Sequence, residues 1–160
     1  MWLTSKSKVT GGISAAVLVL AIPFLATWEG KRNYAYIPIP GDVPTICFGH
    51  TAGVKMGDSK SDAECEAMLR SDAAMYYTAL SGCMVNKEIP VSVQASLLEL
   101  SFNVGTNGVC KSTALKRANA GLYHSACAEL DKWVKAGGKT IKGLVNRRNA
   151  SQEMCLRDVT

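Results

Sequence analysis

Hydrophobic and polar positions divide the chain into three kinds of stretch. Behind a short basic leader with Lys6 and Lys8, residues Val9 to Trp28 run for twenty positions without a charge. As a helix this stretch is about 30 Å long, roughly the hydrocarbon thickness of a bilayer. From Lys31 to Thr51 the prolines Pro38, Pro40 and Pro44 exclude a helix. The β-branched and aromatic residues flanking Pro40-Gly41-Asp42 predict a short hairpin or small sheet there. Beyond Ser61 helical spacing takes over. Ser61-Asp62-Ala63-Glu64 is a capping box opening a helix that should run to about Leu80, with Cys65, Met68, Leu69, Ala73 and Tyr76 on its apolar face. Val91 to Val104 predicts a strongly apolar helix at the centre of the core. Gly105 and Gly108 break it, and helices are expected over Lys111–Ala120, Tyr123–Lys135 and Ile141–Leu156, with Gly121 and Gly137-Gly138 as stops. The expected fold class is α+β, mostly α: an N-terminal hydrophobic helix, a small β element, then an α-helical body.

The chain has 160 residues, which suits one domain, and 132 of them remain if the apolar leader is set aside. This divides it into a leader, 1–28, and a domain, 29–160. Lys6 and Lys8 should keep the amino end in the cytoplasm and leave the rest outside. Thr10, Gly11, Gly12, Ser14, Pro23 and Thr27 weaken the span, so it reads as a marginal, uncleaved signal anchor. A cleaved signal peptide, cut after Ala16 or Ala21, and a buried core helix are the alternatives. The net charge of +5 includes no dense basic run, which argues against nucleic-acid binding.

Six cysteines, Cys47, Cys65, Cys83, Cys110, Cys127 and Cys155, are spread along the body. None forms a Cys-x-x-Cys pair, and neither histidine stands at zinc-finger spacing, so no metal site is expected. An even number downstream of an export-like segment reads as a disulfide framework in an oxidising compartment, with 15 pairings open to six cysteines.

Glu29 closes the apolar stretch. A carboxylate beside apolar surface is costly to ionise, which is what a general acid needs. Around it, Trp28-Glu29-Gly30, Ala35-Tyr36 and Thr45-Ile46-Cys47-Phe48-Gly49-His50-Thr51 resemble the phage-type lysozymes, the family of the T-even phage lysozyme. Phe102-Asn103-Val104-Gly105, Trp133-Val134-Lys135-Ala136-Gly137-Gly138-Lys139 and Gly143-Leu144-Val145-x-Arg147-Arg148 extend the resemblance from Glu29 to about Cys155. The weak leader makes the chain similar to the signal-anchor-release endolysins within that family.

The resemblance implies a lysozyme-like fold and a muramidase. Its substrate is the β-1,4 bond between N-acetylmuramic acid and N-acetylglucosamine in peptidoglycan glycan strands. The family glutamate protonates the glycosidic oxygen, while an aspartate and a threonine place the attacking water, as in inverting hydrolysis. Glu29 matches the acid and Thr45 the threonine. The aspartate position, nine residues after the glutamate, is Pro38 here; Asp42, three residues before Thr45, is the nearby carboxylate and the candidate for the role, with local backbone bonding in its turn as its ordinary account. Tyr36, His50 and Arg147 are the candidate substrate contacts; packing on the hairpin, hydrogen bonding in the sheet and a solvated helix face are their ordinary accounts. Disulfides Cys47–Cys65, Cys83–Cys110 and Cys127–Cys155 follow from the family fold. No metal or organic cofactor is implied. Implied too are a monomer and an inner-membrane tether through residues 9–28, facing the periplasm and inactive until release makes the enzyme soluble. A lytic transglycosylase on the same bond and a non-catalytic, membrane-tethered murein-binding protein are the rivals.

Overall fold

The computed structural model describes the backbone of residues 5–160 and the side chains of residues 15–160. The expected membrane span, 9–28, therefore begins outside the described side chains. Its backbone lies in a helix, α1 (Ser5–Glu29), which holds Pro23 within it. Val17, Ala21 and Leu25, four residues apart, are fully buried, while Val19 between them is 75% exposed. That period places one stripe of the helix against the protein's interior. Among the described residues no helix is long and apolar enough to cross a membrane.

The chain divides into two compact units, Ile22–Met75 and Met1–Ala21 with Tyr76–Thr160. In the first, β1 (Arg32–Tyr36) pairs antiparallel with β2 (Thr45–Cys47). Register runs from Arg32↔Cys47 to Tyr36↔Thr45, so β1 carries extra residues and bulges between those pairs. The expected Pro-Gly-Asp turn is present: Asp42 N–H donates to the Ile39 carbonyl at 2.9 Å, with Gly41 at φ 89°. Proline second and left-handed glycine third make this a type II turn. The helix α2 (Asp62–Ser81) starts at the expected capping box, Ser61 N–H donating to Glu64 Oε2 at 2.7 Å and Glu64 N–H to Ser61 Oγ at 3.2 Å. A small core of Ile46, Cys47 and Cys65, with Ala35, Phe48, Val54 and Met68 around it, surrounds the Cys47–Cys65 disulfide.

The second unit is helical, with α3 (Val91–Val104) at its centre and every residue from Ser92 to Ser101 buried. A helix buried on all sides must satisfy its polar side chains internally. Ser92 Oγ donates to the Cys155 carbonyl at 2.8 Å and Ser96 Oγ to that of Ser151 at 3.0 Å, joining α3 to the last helix, α7 (Lys142–Leu156). Gly105, at φ 84°, ends α3 as expected, but the chain resumes at once in a short helix, α4 (Thr106–Cys110), where a plain break was expected. The helix α5 (Thr113–Asn119) is capped by Ser112, whose Oγ accepts from Leu115 N–H at 3.1 Å. Asn119 receives Val85 N–H and Asn86 N–H on its side-chain oxygen and donates to the Cys83 carbonyl, fastening the loop before α3 beside the Cys83–Cys110 bridge.

One expected element is corrected. The helix foreseen over Tyr123–Lys135 stops much earlier: α6 (Tyr123–Ala128) tightens into a 3-10 turn, Glu129–Lys132. A hairpin follows, β3 (Lys135–Ala136) against β4 (Lys139–Thr140). Gly137 and Gly138, at φ 58° and 77°, form its two-residue connection, the left-handed pair that a tight hairpin requires. These glycines turn the chain back on itself instead of merely ending a helix. Cys127–Cys155 ties α6 to α7.

Candidate active site

Glu29 is the last residue of α1 and is half-buried. Gly30, at φ 68°, redirects the chain into β1. The start of β1 is then fastened to α2: Lys31 Nζ lies 2.7 Å from Asp62 Oδ1, and Asn33 Nδ2 donates to the same oxygen at 2.8 Å and to the Lys60 carbonyl. The hydrogen bonds from Lys31 and Asn33 hold the Asp62 carboxyl below its usual range. The strand that follows the exit from α1 is thus fixed to the start of α2.

Across from that exit, β2 continues into a tight turn. Ile46 and His50 exchange both backbone hydrogen bonds at 2.9 Å, closing a loop whose inner residues include Cys47 at φ 59° and Gly49 at φ 85°. A non-glycine residue in the left-handed region is uncommon and costs on the order of 1 kcal/mol. Cys47 is held there by its bond to Cys65 of α2. A Cβ placed on Gly49 would stand 3.9 Å from Glu29 Oε2, so the glutamate carboxylate sits over the glycine end of this turn. The unit therefore brings together the two most specific sequence blocks, Glu29-Gly30 and Thr45 to Thr51.

His50 is committed on both ring nitrogens, Nδ1 at 2.8 Å from Asp72 Oδ2 of α2 and Nε2 at 3.1 Å from the Ala52 carbonyl. Its hydrogen bonds hold the turn to the helix. Asp72, half-buried in the middle of α2, was not legible as its partner from sequence. Thr45 is buried in β2, its Oγ1 donating to the Val43 carbonyl at 3.1 Å, which leaves the hydroxyl oxygen able to accept. Asp42 is exposed, and its Oδ1 accepts from Val43 N–H at 2.9 Å. Tyr36, opposite Thr45 in the sheet, carries the Arg32 guanidinium over its ring at 4.3 Å.

Arg147 stands elsewhere than on a solvated helix face. It is buried in the helical unit, and its Nε donates to Glu99 Oε1, which Arg148 Nη2 also reaches at 2.8 Å. Glu99 and Arg148 are fully buried. The physical reason is charge pairing: a carboxylate inside an apolar helix draws in its counterions. The signal was a lone acid within the apolar run Val91 to Phe102. Trp133 follows the 3-10 turn and is half-buried, whereas Leu130 is buried. Among the described residues no cluster of His, Cys, Asp and Glu could hold a metal ion.

Comparison with known proteins fits this geometry. The sequence matches the family model described as Phage lysozyme over residues 26–151. It is 40% identical over 151 residues to the SAR-endolysin of Pseudomonas phage phiKMV, spanning 90% of this chain and 91% of that one. It is 34% identical over 149 residues to the SAR-endolysin of Enterobacteria phage P21, spanning 91% and 90%. In fold it resembles the active form of the P1 phage endolysin Lyz, with a TM-score of 0.76 at 21% identity over 92% of this chain and 95% of that one. The secreted inactive form of the same endolysin matches at 0.51 over 68% of this chain and 77% of that one. The mostly helical body, the small antiparallel sheets and the matched blocks agree: this chain belongs to the phage lysozyme family.

Proposed function

We propose that the protein is a phage endolysin that hydrolyses the β-1,4 bond between N-acetylmuramic acid and N-acetylglucosamine of peptidoglycan. The observation carrying this reading is the seat of Glu29, half-buried at a helix end with its carboxylate over Gly49. Glu29 donates its proton to the glycosidic oxygen as the bond to the leaving sugar breaks. Asp42 takes the proton of the attacking water, and the Thr45 hydroxyl oxygen helps hold that water. Tyr36 offers an aromatic edge to the sugar. His50 serves the site through the turn it fixes. The burial of Arg147 against Glu99 speaks against direct contact with substrate.

Export and control belong to the same proposal. Residues 9–28 tether the domain 29–160 to the host inner membrane, facing the periplasm, until the segment leaves the bilayer and the soluble monomer becomes active. The relatives called SAR-endolysins support this, as does a fold nearer to the active than to the inactive form of a phage endolysin. The buried stripe of Val17, Ala21 and Leu25 is what the helix gains in exchange for lipid. Fractionating expressing cells should give membrane and soluble pools of one intact mass, with only the soluble pool lytic.

A second reading keeps the substrate. Because the Asp42 carboxylate already accepts a backbone N–H, a lytic transglycosylase needing a single acid is its rival. Glu29→Gln should abolish release of murein fragments, and the wild type should yield reducing muramic acid ends. A Glu29→Gln protein as lytic as the wild type overturns both readings, and 1,6-anhydro products select the second.

A further inference from the structure

Positive charge is unevenly divided between the two units of the chain. Residues 76–160 carry 11 Lys and Arg against 6 Asp and Glu, whereas residues 22–75 carry 5 against 7. Part of the first excess is paired: in the interior Glu99 receives Arg147 and Arg148, and nearer the surface Glu129 receives Arg117 at 2.6 Å and the exposed Lys132 at 2.9 Å. Of the cations with no ion pair among the described residues, Lys87, Lys111, Lys116 and Arg157 are exposed at positions spaced along the chain, and the densest run stands at one place. Every residue from Lys135 to Gly143 is exposed, the run comprising the β3–β4 hairpin and the first turn of α7. Lys135, Lys139 and Lys142 lie within it, and among the described residues none of the three has an ion-pair partner. The hairpin register puts Lys135 opposite Thr140 and Lys139 opposite Ala136, so the two lysines project from opposite faces of one ribbon. The Gly137-Gly138 turn keeps that ribbon short and leaves no bulky side chain at its tip.

We infer that this hairpin is a binding surface for the carboxylates of the peptide stems that hang from the glycan, an inference that rests on the murein reading above. Three unpaired ammonium groups spread over a small protrusion suit a flexible polyanion better than a single buried anion, because each attracts without needing fixed geometry. A polymer with carboxylates on movable side branches meets both faces of the ribbon at once. The two arginines of the Gly-Leu-Val-x-Arg-Arg block are buried, and the exposed lysines preceding them present charge in their place. The lysines act on residence at the wall and take no part in the chemistry.

The test uses the full chain carrying Glu29→Gln, so that binding is read without cleavage, and compares it with the same chain carrying also Lys135→Gln, Lys139→Gln and Lys142→Gln. Cosedimentation with purified peptidoglycan sacculi at low salt should weaken about tenfold in the triple variant, a few tenths of a pKd unit for each exposed charge. The gap should close near 0.5 M salt, where screening reaches only a few ångströms. On glycan strands stripped of their peptides the two proteins should bind alike. An equal loss on stripped glycan, or no loss on sacculi, overturns the inference. A loss confined to phosphatidylglycerol vesicles also overturns it and makes a lipid surface the partner. Matching thermal melts keep a folding defect from imitating the result. Failure of the murein reading itself shows separately, as a wild-type protein that neither binds sacculi nor releases fragments from them.

Discussion

His50 Nδ1 and Asp72 Oδ2 stand 2.8 Å apart, a bond that joins the turn after β2 to the middle of α2. The turn it secures carries Gly49, the residue beneath the Glu29 carboxylate. A half-buried bond with an ionised partner contributes about 1.5–3 kcal/mol. Asp72→Ala should lower unfolding free energy by that amount in urea titrations, and His50→Ala by a similar amount. The double variant should lose far less than the sum of the two. Additive losses would show that the pair does not interact.

Glu99 offers the larger effect. Removing its carboxylate leaves two buried guanidinium groups without it, and breaking a buried ion pair from one side costs about 3–5 kcal/mol. Glu99→Ala should therefore drop the melting temperature sharply, measured by circular dichroism. Replacing all three charges together with apolar residues should recover part of the loss. A Glu99→Ala protein that melts with the wild type contradicts this account.

Acid sensitivity should trace in part to Glu129. The Lys132 hydrogen bond, helped by the charges of Arg117 and Lys132, holds this carboxyl below its ordinary range. A carboxylate depressed on folding adds stability above its unfolded value, about 4.3, and loses it as pH falls through the folded one. Wild type should therefore melt above Glu129→Gln at pH 6, and the gap should shrink as pH drops below about 4. A gap unchanged from pH 6 to pH 3 rules the linkage out.

The disulfides close loops of 18, 27 and 28 residues. In the chain-entropy account each is worth about 3–4 kcal/mol. Thiol reductant should lower the melting temperature, and Cys47→Ser with Cys65→Ser should also reduce lysis, because Cys47 shapes the turn facing Glu29. Unchanged melting in reductant would falsify that account.

Much of this was readable from residues alone, for identifiable reasons. The capping box at Ser61, the apolar run Val91–Val104 and the Pro-Gly-Asp turn are local signals whose physics lies within a few positions, and each became the expected element. The three disulfide pairs followed from the family resemblance, because spacing leaves their pairing open. The hairpin at Gly137-Gly138 was missed since two glycines after a helical pattern also suit a stop, and strands of two residues carry no alternation to read. Arg147 and Glu99 are 48 positions apart. Nothing local announces such a pair, and an arginine on a polar helix reads as exposed until its partner is found. His50 shows the same limit: its hydrogen bonding was legible, while Asp72, on another element, was not.

The helix leading to Glu29 shares out its positions unevenly. Interior contacts claim Val17, Ala21 and Leu25, whereas a site such as Val19 looks outward. Exchanges on the outward side can make the leader greasier or more watery with little disturbance to the folded enzyme. Under the proposed tether, lysis timing and catalytic fitness, though written in one stretch of chain, are free to drift apart over generations.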